Sequence, residues 1–265
     1  MKTVDRCIVL SFFICFSCST NHGLNSARSF SAFGQQQSLQ EQQMGTINGM
    51  QPDGMLLMDD SLLVVRNKPG ESLYHFNVWS IPAKKSIGSL IPAGSKAGQV
   101  MSFLSYGILN HSFWVDDIVK EKLFVFDLTN AFAPTLAYQF RMPVFYYSLE
   151  ILNDTTAIGS GDYESDYRIA MIHLPTGRVT KKISSYASGD IPLISREQRM
   201  AYESFLFLKP SGEKCVLACR YADRIEIFDL ERNSSKVVWG PEGYKPNVMV
   251  ATGNDGKKLS TRSAD

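Results

Sequence analysis

Apolar residues in this chain come in short runs separated by polar turns, and one six-residue run recurs with similar letters. Residues 123–128 (LFVFDL) and 225–230 (IEIFDL) are close copies, whereas residues 169–174 (IAMIHL) and 76–81 (FNVWSI) are looser ones. Their first residues lie 47, 46 and 56 positions apart. A β-rich unit that repeats about every 40 to 50 residues is typical of β-propeller blades.

Each copy of this run follows two shorter apolar runs that are joined by a polar turn, which is the pattern of a β-hairpin. No segment keeps a helical period over four turns, so the sequence predicts an all-β chain. The predicted strands, grouped by repeat, are 55–58, 62–65 and 73–81; 106–109, 113–115 and 123–128; 148–152, 156–158 and 169–174; and 205–208, 215–219 and 225–230.

The first 45 residues have the composition of a targeting sequence followed by a tether. Residues 1–17 combine Lys2 and Arg6 with an apolar run over 7–16 that is too short to span a bilayer, as in a secretory signal peptide. Ser17 and Cys18 resemble the lipobox of bacterial lipoproteins, which implies acylation of Cys18. A plain signal peptide that contains cysteines, or a buried N-terminal strand, is the alternative.

Residues 18–45 are rich in Ser and Gln and have little apolar surface to bury, so we expect a tether. Phe30 or Phe33 is expected to dock on the folded body, which we assign to residues 46–265. Lys and Arg number 27 against 26 for Asp and Glu, a net charge of +1. A chain with this charge balance has no strong positive potential that would attract a polyanion, so we expect no nucleic-acid partner.

The order of lipobox, tether, MLLMDDSLLVV, FWVDDIVKEKLFVFDL and IEIFDL resembles the TolB-like six-bladed propeller lipoproteins of Gram-negative bacteria. The resemblance covers about residues 18–245. Members commonly carry a Gly-Pro-Gly-Glu-like turn between the first two blades, where this chain has GSKAGQ at 94–99. The resemblance implies an envelope-anchored propeller, mostly without known activity, and it brings no catalytic motif to this sequence.

Four copies of the recurring run predict about four blades and a partial fifth, an incomplete version of a six-bladed ring. Residues 245–265 suffice for a hairpin only, and the polar tail 254–265 is not expected to form a strand. An open arc would leave an apolar blade face near 225–230 and 237–239 uncovered, which favours self-association.

Few residues of the sequence are arranged for chemistry, and no nucleophile elbow, zinc-protease, Walker or dinucleotide motif is present. Asp162, Glu164 and Asp166 alternate after a Gly-rich turn and form a weak calcium candidate, with a solvated hairpin loop as the alternative. Asp116 and Asp117 end a predicted strand, facing a channel or forming an acidic turn. No cofactor is predicted.

The cysteines and histidines are predicted to be structural. Cys215 and Cys219 lie on one strand about 13 Å apart, beyond the reach of a disulfide. The four histidines show no metal-ligand spacing, and strand or turn packing is expected for each of them: His22, His75, His111 and His173.

Two functions remain open. The first is a non-catalytic lipoprotein of the cell envelope, in the outer membrane, whose propeller binds a protein, peptide or glycan. The second is a metal-dependent lactonase-like or lyase-like enzyme, which apolar innermost strands such as 56–58 and 205–208 disfavour. Binding is also favoured by tyrosines expected on the surface: Tyr146, Tyr147, Tyr163, Tyr167 and Tyr186.

The recurring run also predicts part of the core. Phe126 and Phe228 occupy equivalent positions and are expected to pack between blades. Asp127 and Asp229 follow them and are expected to end each strand by engaging turn amides.

Overall fold

A computed structural model describes residues 28–30, 38, 53–70, 72–129, 134–185, 196–253 and 258–264. These residues form four four-stranded antiparallel blades of a β-propeller and a separate two-stranded hairpin. In chain order the strands are β1 (Arg28–Ser29); β2 (Met55–Met58), β3 (Leu62–Arg66), β4 (Tyr74–Ser80) and β5 (Lys85–Pro92) in the first blade; β6 (Phe103–Leu109), β7 (Ser112–Asp117), β8 (Lys122–Asp127) and β9 (Thr135–Arg141) in the second; β10 (Ser148–Asn153), β11 (Thr156–Ser160), β12 (Tyr167–His173) and β13 (Arg178–Ser185) in the third; β14 (Ser204–Leu208), β15 (Lys214–Cys219), β16 (Arg224–Asp229) and β17 (Ser234–Trp239) in the fourth; and β18 (Pro246–Thr252) and β19 (Lys258–Ala264) in the hairpin.

The all-β prediction with four blades is confirmed, and helical structure within the described residues is confined to two short segments. They are α1 (Arg196–Ala201), between the third and fourth blades, and a 3₁₀ turn at Leu174–Thr176. No described helix has the length and apolar character needed to cross a membrane.

Neighbouring blades meet through their first strands, because β6 contacts β2 and β10, and β10 in turn contacts β14. Apolar side chains fill each junction: one cluster joins the first and second blades, a second joins the second and third, and a third joins the third and fourth. Phe126 lies in the first cluster and Phe228 in the third, as predicted.

The recurring run ends as predicted, with a carboxylate that accepts hydrogen bonds from turn amides. The amide of Thr129 donates to Asp127 at 2.7 Å, and that of Arg232 donates to Asp229 at 2.9 Å. These backbone hydrogen bonds are the main reason why the pKa of each carboxyl lies below its ordinary value.

The prediction that the polar tail does not form a strand was wrong. Strand β19 pairs with β18 along its whole length, from Pro246 opposite Ala264 to Thr252 opposite Lys258. Backbone hydrogen bonds between two strands do not require an apolar face, so a Ser- and Thr-rich segment forms one side of a hairpin. The hairpin contacts α1.

The fourth blade carries a fifth strand from the N-terminal segment. Strand β1 runs parallel to β17, with Arg28 opposite Val238, and the amide of Phe30 donates to the Trp239 carbonyl at 3.4 Å. Phe30 therefore docks on the propeller, as one of the two N-terminal phenylalanines was expected to do. Phe33 lies outside the described residues, as does Cys18.

Candidate functional site

A cleft of about 430 Å³ opens at the end of the propeller where the first strand of each blade begins. Its walls come from three blades, because strand β6, the loop before β10, the β11–β12 loop, helix α1 and the residue before β14 converge there. The lining residues are Leu104, Val144, Phe145, Tyr147, Asp162, Tyr163, Glu164, Ser165, Arg196, Met200 and Glu203.

One wall of this cleft is apolar and open to solvent. Phe145 is 47% exposed, and Val144 and Leu104 are also exposed. Val144 and Phe145 belong to the loop that leads from β9 into β10, and that loop is held by its neighbour Tyr146, which is buried between the second and third blades. Buried Tyr146 thus holds Val144 and Phe145 at the surface, where they lie in the same cleft as Leu104 of β6.

The opposite wall is polar and is organised by ion pairs. Arg196 of α1 donates to Glu164 at 2.5 Å, which connects the helix to the β11–β12 loop. Arg220 donates to Glu203 at 3.1 Å and to the Tyr147 hydroxyl at 2.9 Å. Burial, followed by the Glu203 carboxylate, raises the pKa of Tyr147, so this hydroxyl stays protonated at neutral pH, where Glu203 and Arg220 engage it.

Two of the calcium candidates, Asp162 and Glu164, lie at this polar wall, and Asp162 is engaged by its own loop. Its carboxylate accepts hydrogen bonds from the Ser165 hydroxyl at 2.6 Å, the Tyr167 hydroxyl at 2.9 Å and the Glu164 amide at 3.2 Å. Glu164 and Asp166 are exposed. Within the described residues no three His, Cys, Asp or Glu side chains converge into a group that could hold a metal ion. The calcium site stays a prediction.

A buried ion-pair network lies between the third and fourth blades and supports the cleft. Arg168 donates to both carboxylate oxygens of Glu226, at 2.6 and 3.1 Å, and also to the Tyr202 carbonyl at 3.2 Å. Arg224 donates to Glu226 at 3.2 Å. All three charged side chains are almost completely buried. The network fixes the segment that connects α1 to β14, and thereby Glu203.

This network was not predicted from the sequence, although one signal for it was present. Glu226 stands in the fourth copy of the recurring run at the position that Phe124 occupies in the second. A carboxylate in a core position requires a buried partner, and Arg168, on a strand of the adjacent blade, provides it.

The expectation that the tyrosines form an exposed set was wrong for three of them. Tyr146, Tyr163 and Tyr167 are buried, whereas Tyr147 is partly exposed and Tyr186 lies outside the described residues. The ring of Tyr146 lies against Gly159, where an added Cβ would be 2.5 Å from a ring carbon. The glycine makes room for the ring between two blades, and burial raises the pKa of the Tyr146 hydroxyl.

The paired aspartates at the end of β7 have different roles. Asp117 accepts hydrogen bonds from the amides of Met101, Val119 and Lys120 at 2.7 to 3.0 Å, so it is the turn-forming residue of the two alternatives. Asp116 is buried, and burial, followed by the neighbouring Asp117 carboxylate, raises its pKa to about 7.

A second carboxylate with a shifted pKa lies on an innermost strand and was overlooked. Glu150 lies on β10, on the same face as Ser148, whose hydroxyl accepts a hydrogen bond from the Leu206 amide of the fourth blade at 3.1 Å. Burial raises the pKa of Glu150 to about 7. The innermost strands are therefore not uniformly apolar.

The cysteines and two of the histidines have the predicted structural roles. Cys215 and Cys219 are both unbridged, and burial raises the pKa of the Cys215 thiol to about 12. His75 forms a hydrogen bond with the Val100 carbonyl at 2.8 Å, and His173 with the Thr176 hydroxyl at 2.9 Å. His22 lies outside the described residues.

The family of the chain follows from its sequence. The model of the TolB-like 6-blade propeller-like family matches residues 30–264. The chain belongs to this family. No curated protein gives a significant match.

Several solved structures of distant sequence match the chain. The RRP9 WD40 repeats match with a TM-score of 0.50 and 13% identity, covering 81% of this chain and 61% of that one. The Myceliophteria thermophila Cps50 (Swd1) β-propeller domain matches with a TM-score of 0.48 and 10% identity. The match covers 81% of this chain and 63% of the Cps50 chain. Kuenenia stuttgartiensis hydrazine synthase matches at 0.43 and 16% identity, with coverages of 82% and 59%.

This chain spans about three fifths of the length of those structures. The likeness to the RRP9 repeats shows the fold alone. Family membership agrees with the resemblance found in the sequence, and the function has to be argued from the cleft.

Proposed function

We propose that this TolB-like chain is a lipoprotein of the cell envelope, anchored through Cys18 in the outer membrane, and that its propeller binds a protein, peptide or glycan without catalysis. The observation that supports binding most directly is the exposed wall of Leu104, Val144 and Phe145 beside a polar wall. An apolar anchor surrounded by hydrogen-bonding groups is the arrangement of a recognition site.

A protein or peptide segment fits this cleft best. The ring of Phe145 offers apolar area to one side chain of the partner, while Glu164, Arg196 and the Tyr147 hydroxyl lie where backbone or polar groups of the same segment would pass. A cleft of about 430 Å³ accommodates a few side chains rather than a whole domain surface.

Site-specific photo-crosslinking in cells tests the binding site. A photo-reactive amino acid at position 145 is expected to give a defined adduct, and the same amino acid at Tyr138, which is exposed on the outermost strand of the second blade, serves as the matched control. Equal adducts at both positions, or none at 145, would contradict a site at the cleft.

The anchor has its own test, motivated by Ser17-Cys18 after the apolar run. Cells that express the full chain are labelled with a fatty-acid probe, and the label is expected on the wild-type chain and not on Cys18→Ala. A Cys15→Ala variant is the control and should keep its label. Equal labelling of wild type and Cys18→Ala would exclude acylation at this residue.

A further inference from the structure

The outer face of the fourth blade is apolar and exposed over its first three strands, and Lys236 of β17 continues the second of its rows. Cross-strand register places Phe205, Ala218 and Ile225 side by side, and Phe207, Val216 and Ile227 in the next row. We call these six residues the fourth-blade face. Phe205 is 49% exposed and Phe207 is 57% exposed, whereas the opposite side of the blade packs on the third.

The first blade has a corresponding exposed face on its other side. Register places Leu57, Leu63 and Trp79 in one row and Met55, Val65 and Asn77 in the next. We call these six residues the first-blade face. Met55 is 58% exposed and Leu57 is 57% exposed, although Val65 is buried. Since the exposed residues of both faces are open to solvent, the two faces do not cover each other within one chain.

The repeat shows what each face is built to contact. In the second blade, the residues equivalent to Leu63 and Trp79 are Phe113 and Phe126, and both pack on the preceding blade. The residues equivalent to Ile225 and Ile227 in that blade are Leu123 and Val125, which pack toward the following blade. The fourth-blade face is therefore the kind of surface that a face like the first-blade face covers elsewhere in this molecule.

We propose that two copies of this chain pair head to tail, with the fourth-blade face of each copy against the first-blade face of the other. One face of four strands, each about 17 to 20 Å long and about 4.8 Å from the next, presents only about 350 Å². A stable complex buries about 800 Å² per partner, so a single contact is weak. If the contact forms twice, related by a two-fold axis, each copy buries both of its faces. The buried area per copy then approaches the area of a stable complex.

Introducing charges at the two faces tests this pairing. The full chain with Cys18→Ala, which carries no acyl group, is studied by sedimentation velocity over a concentration series, alone and with Leu57→Glu or Phe207→Lys. Both residues are exposed in the single chain, so the variants are expected to fold. Each variant alone places a charge in both contacts of the pair and should raise the dissociation constant at least about tenfold.

Mixing the two variants distinguishes head-to-tail pairing from other arrangements. In the mixed pair one contact is unchanged, and the other joins the carboxylate introduced by Leu57→Glu to the ammonium group introduced by Phe207→Lys. Pairing should therefore return toward the wild-type dissociation constant. A parent chain that stays monomeric at all concentrations would overturn the proposal. So would a Leu57→Glu variant that pairs normally, since that indicates fourth-blade faces in mutual contact, or a mixture that stays monomeric.

Discussion

Single residues at the blade junctions are where this chain is most sensitive to substitution. Phe126 and Phe228 are almost completely buried in two different junctions, each among apolar side chains of the adjacent blade. Close packing of this kind leaves a cavity when a ring is removed, because the surrounding strands are held by their own hydrogen bonds.

Truncating either ring to alanine is expected to lower the free energy of unfolding by about 3 to 5 kcal/mol, because the apolar contacts are lost and a cavity remains. Chemical denaturation of Phe126→Ala and Phe228→Ala measures this change. Phe145→Ala is the matched control, since its ring is half exposed and its removal should change stability little. Equal effects at all three positions would show that burial is not the cause.

Charge at the junction of the third and fourth blades gives a second prediction. Glu226→Gln removes the negative charge that the buried guanidinium groups of Arg168 and Arg224 share, which is expected to cost about 3 to 5 kcal/mol of stability. Glu164→Gln removes an exposed pair with Arg196 and should cost at most about 1 kcal/mol. Denaturant titration gives the free energy of unfolding of both variants. If Glu226→Gln is as stable as the parent chain, the ion-pair network does not stabilise this junction.

Strands are the next scale, and β10 shows how one strand serves two junctions. Leu149 and Ile151 face the second blade, whereas Ser148, Glu150 and Leu152 face the fourth. Alternation along a strand makes this division unavoidable, so Glu150 lies on the side of β10 that faces the fourth blade, where burial disfavours its charged form.

Stability should therefore fall as the pH rises through about 7. The pKa of Glu150 is raised from 4.5 to about 7 by burial, so the folded chain holds this proton more tightly than the unfolded chain does. The resulting stabilisation is complete below 4.5 and is lost as the pH passes about 7. Asp116 acts in the same direction, since its pKa is raised from 3.8 to about 7.

Thermal melts between about pH 5 and pH 8 measure this dependence. Glu150→Gln should flatten the decline in Tm, because the neutral amide has no proton to lose. Glu164→Gln, at an exposed position, should leave the slope unchanged. If Tm falls equally with pH in Glu150→Gln and in the parent chain, the titration of Glu150 does not cause the decline.

At the scale of the molecule, the four described blades form a row, and their stability should vary along it. The second and third blades are packed on both sides, whereas the first and fourth each show one apolar face to solvent. In such nearest-neighbour architectures, terminal units open more readily than internal ones.

Amide hydrogen exchange at low protein concentration should therefore be slower in β7 and β11, the second strands of the internal blades. Exchange in β3 and β15, the second strands of the terminal blades, is expected to be at least about tenfold faster. Comparing second strands with second strands controls for position within a blade. Uniform protection over the four blades would contradict a row that opens from its ends.

Local features of the sequence are sufficient to predict the blades. The spacing of the recurring run, the polar turns within each hairpin and the aspartates after Phe126 and Phe228 are local features, and each depends on residues close together in the chain. The run therefore predicted three strands of each blade, the burial of Phe126 and Phe228, and the aspartates that end their strands. The tail around β19 was missed because its pairing is made by backbone groups, which leave no apolar pattern to detect.

The candidate site and the buried charges depend on tertiary contacts. The cleft joins residues from three blades, and Arg168 meets Glu226 across 58 positions of sequence. The shifted pKa values of Asp116 and Glu150 depend on how much solvent the adjacent blade excludes, and the burial of Tyr146 depends on the space above Gly159. Such properties arise from contacts between blades, so the residue pattern within a single repeat does not predict them.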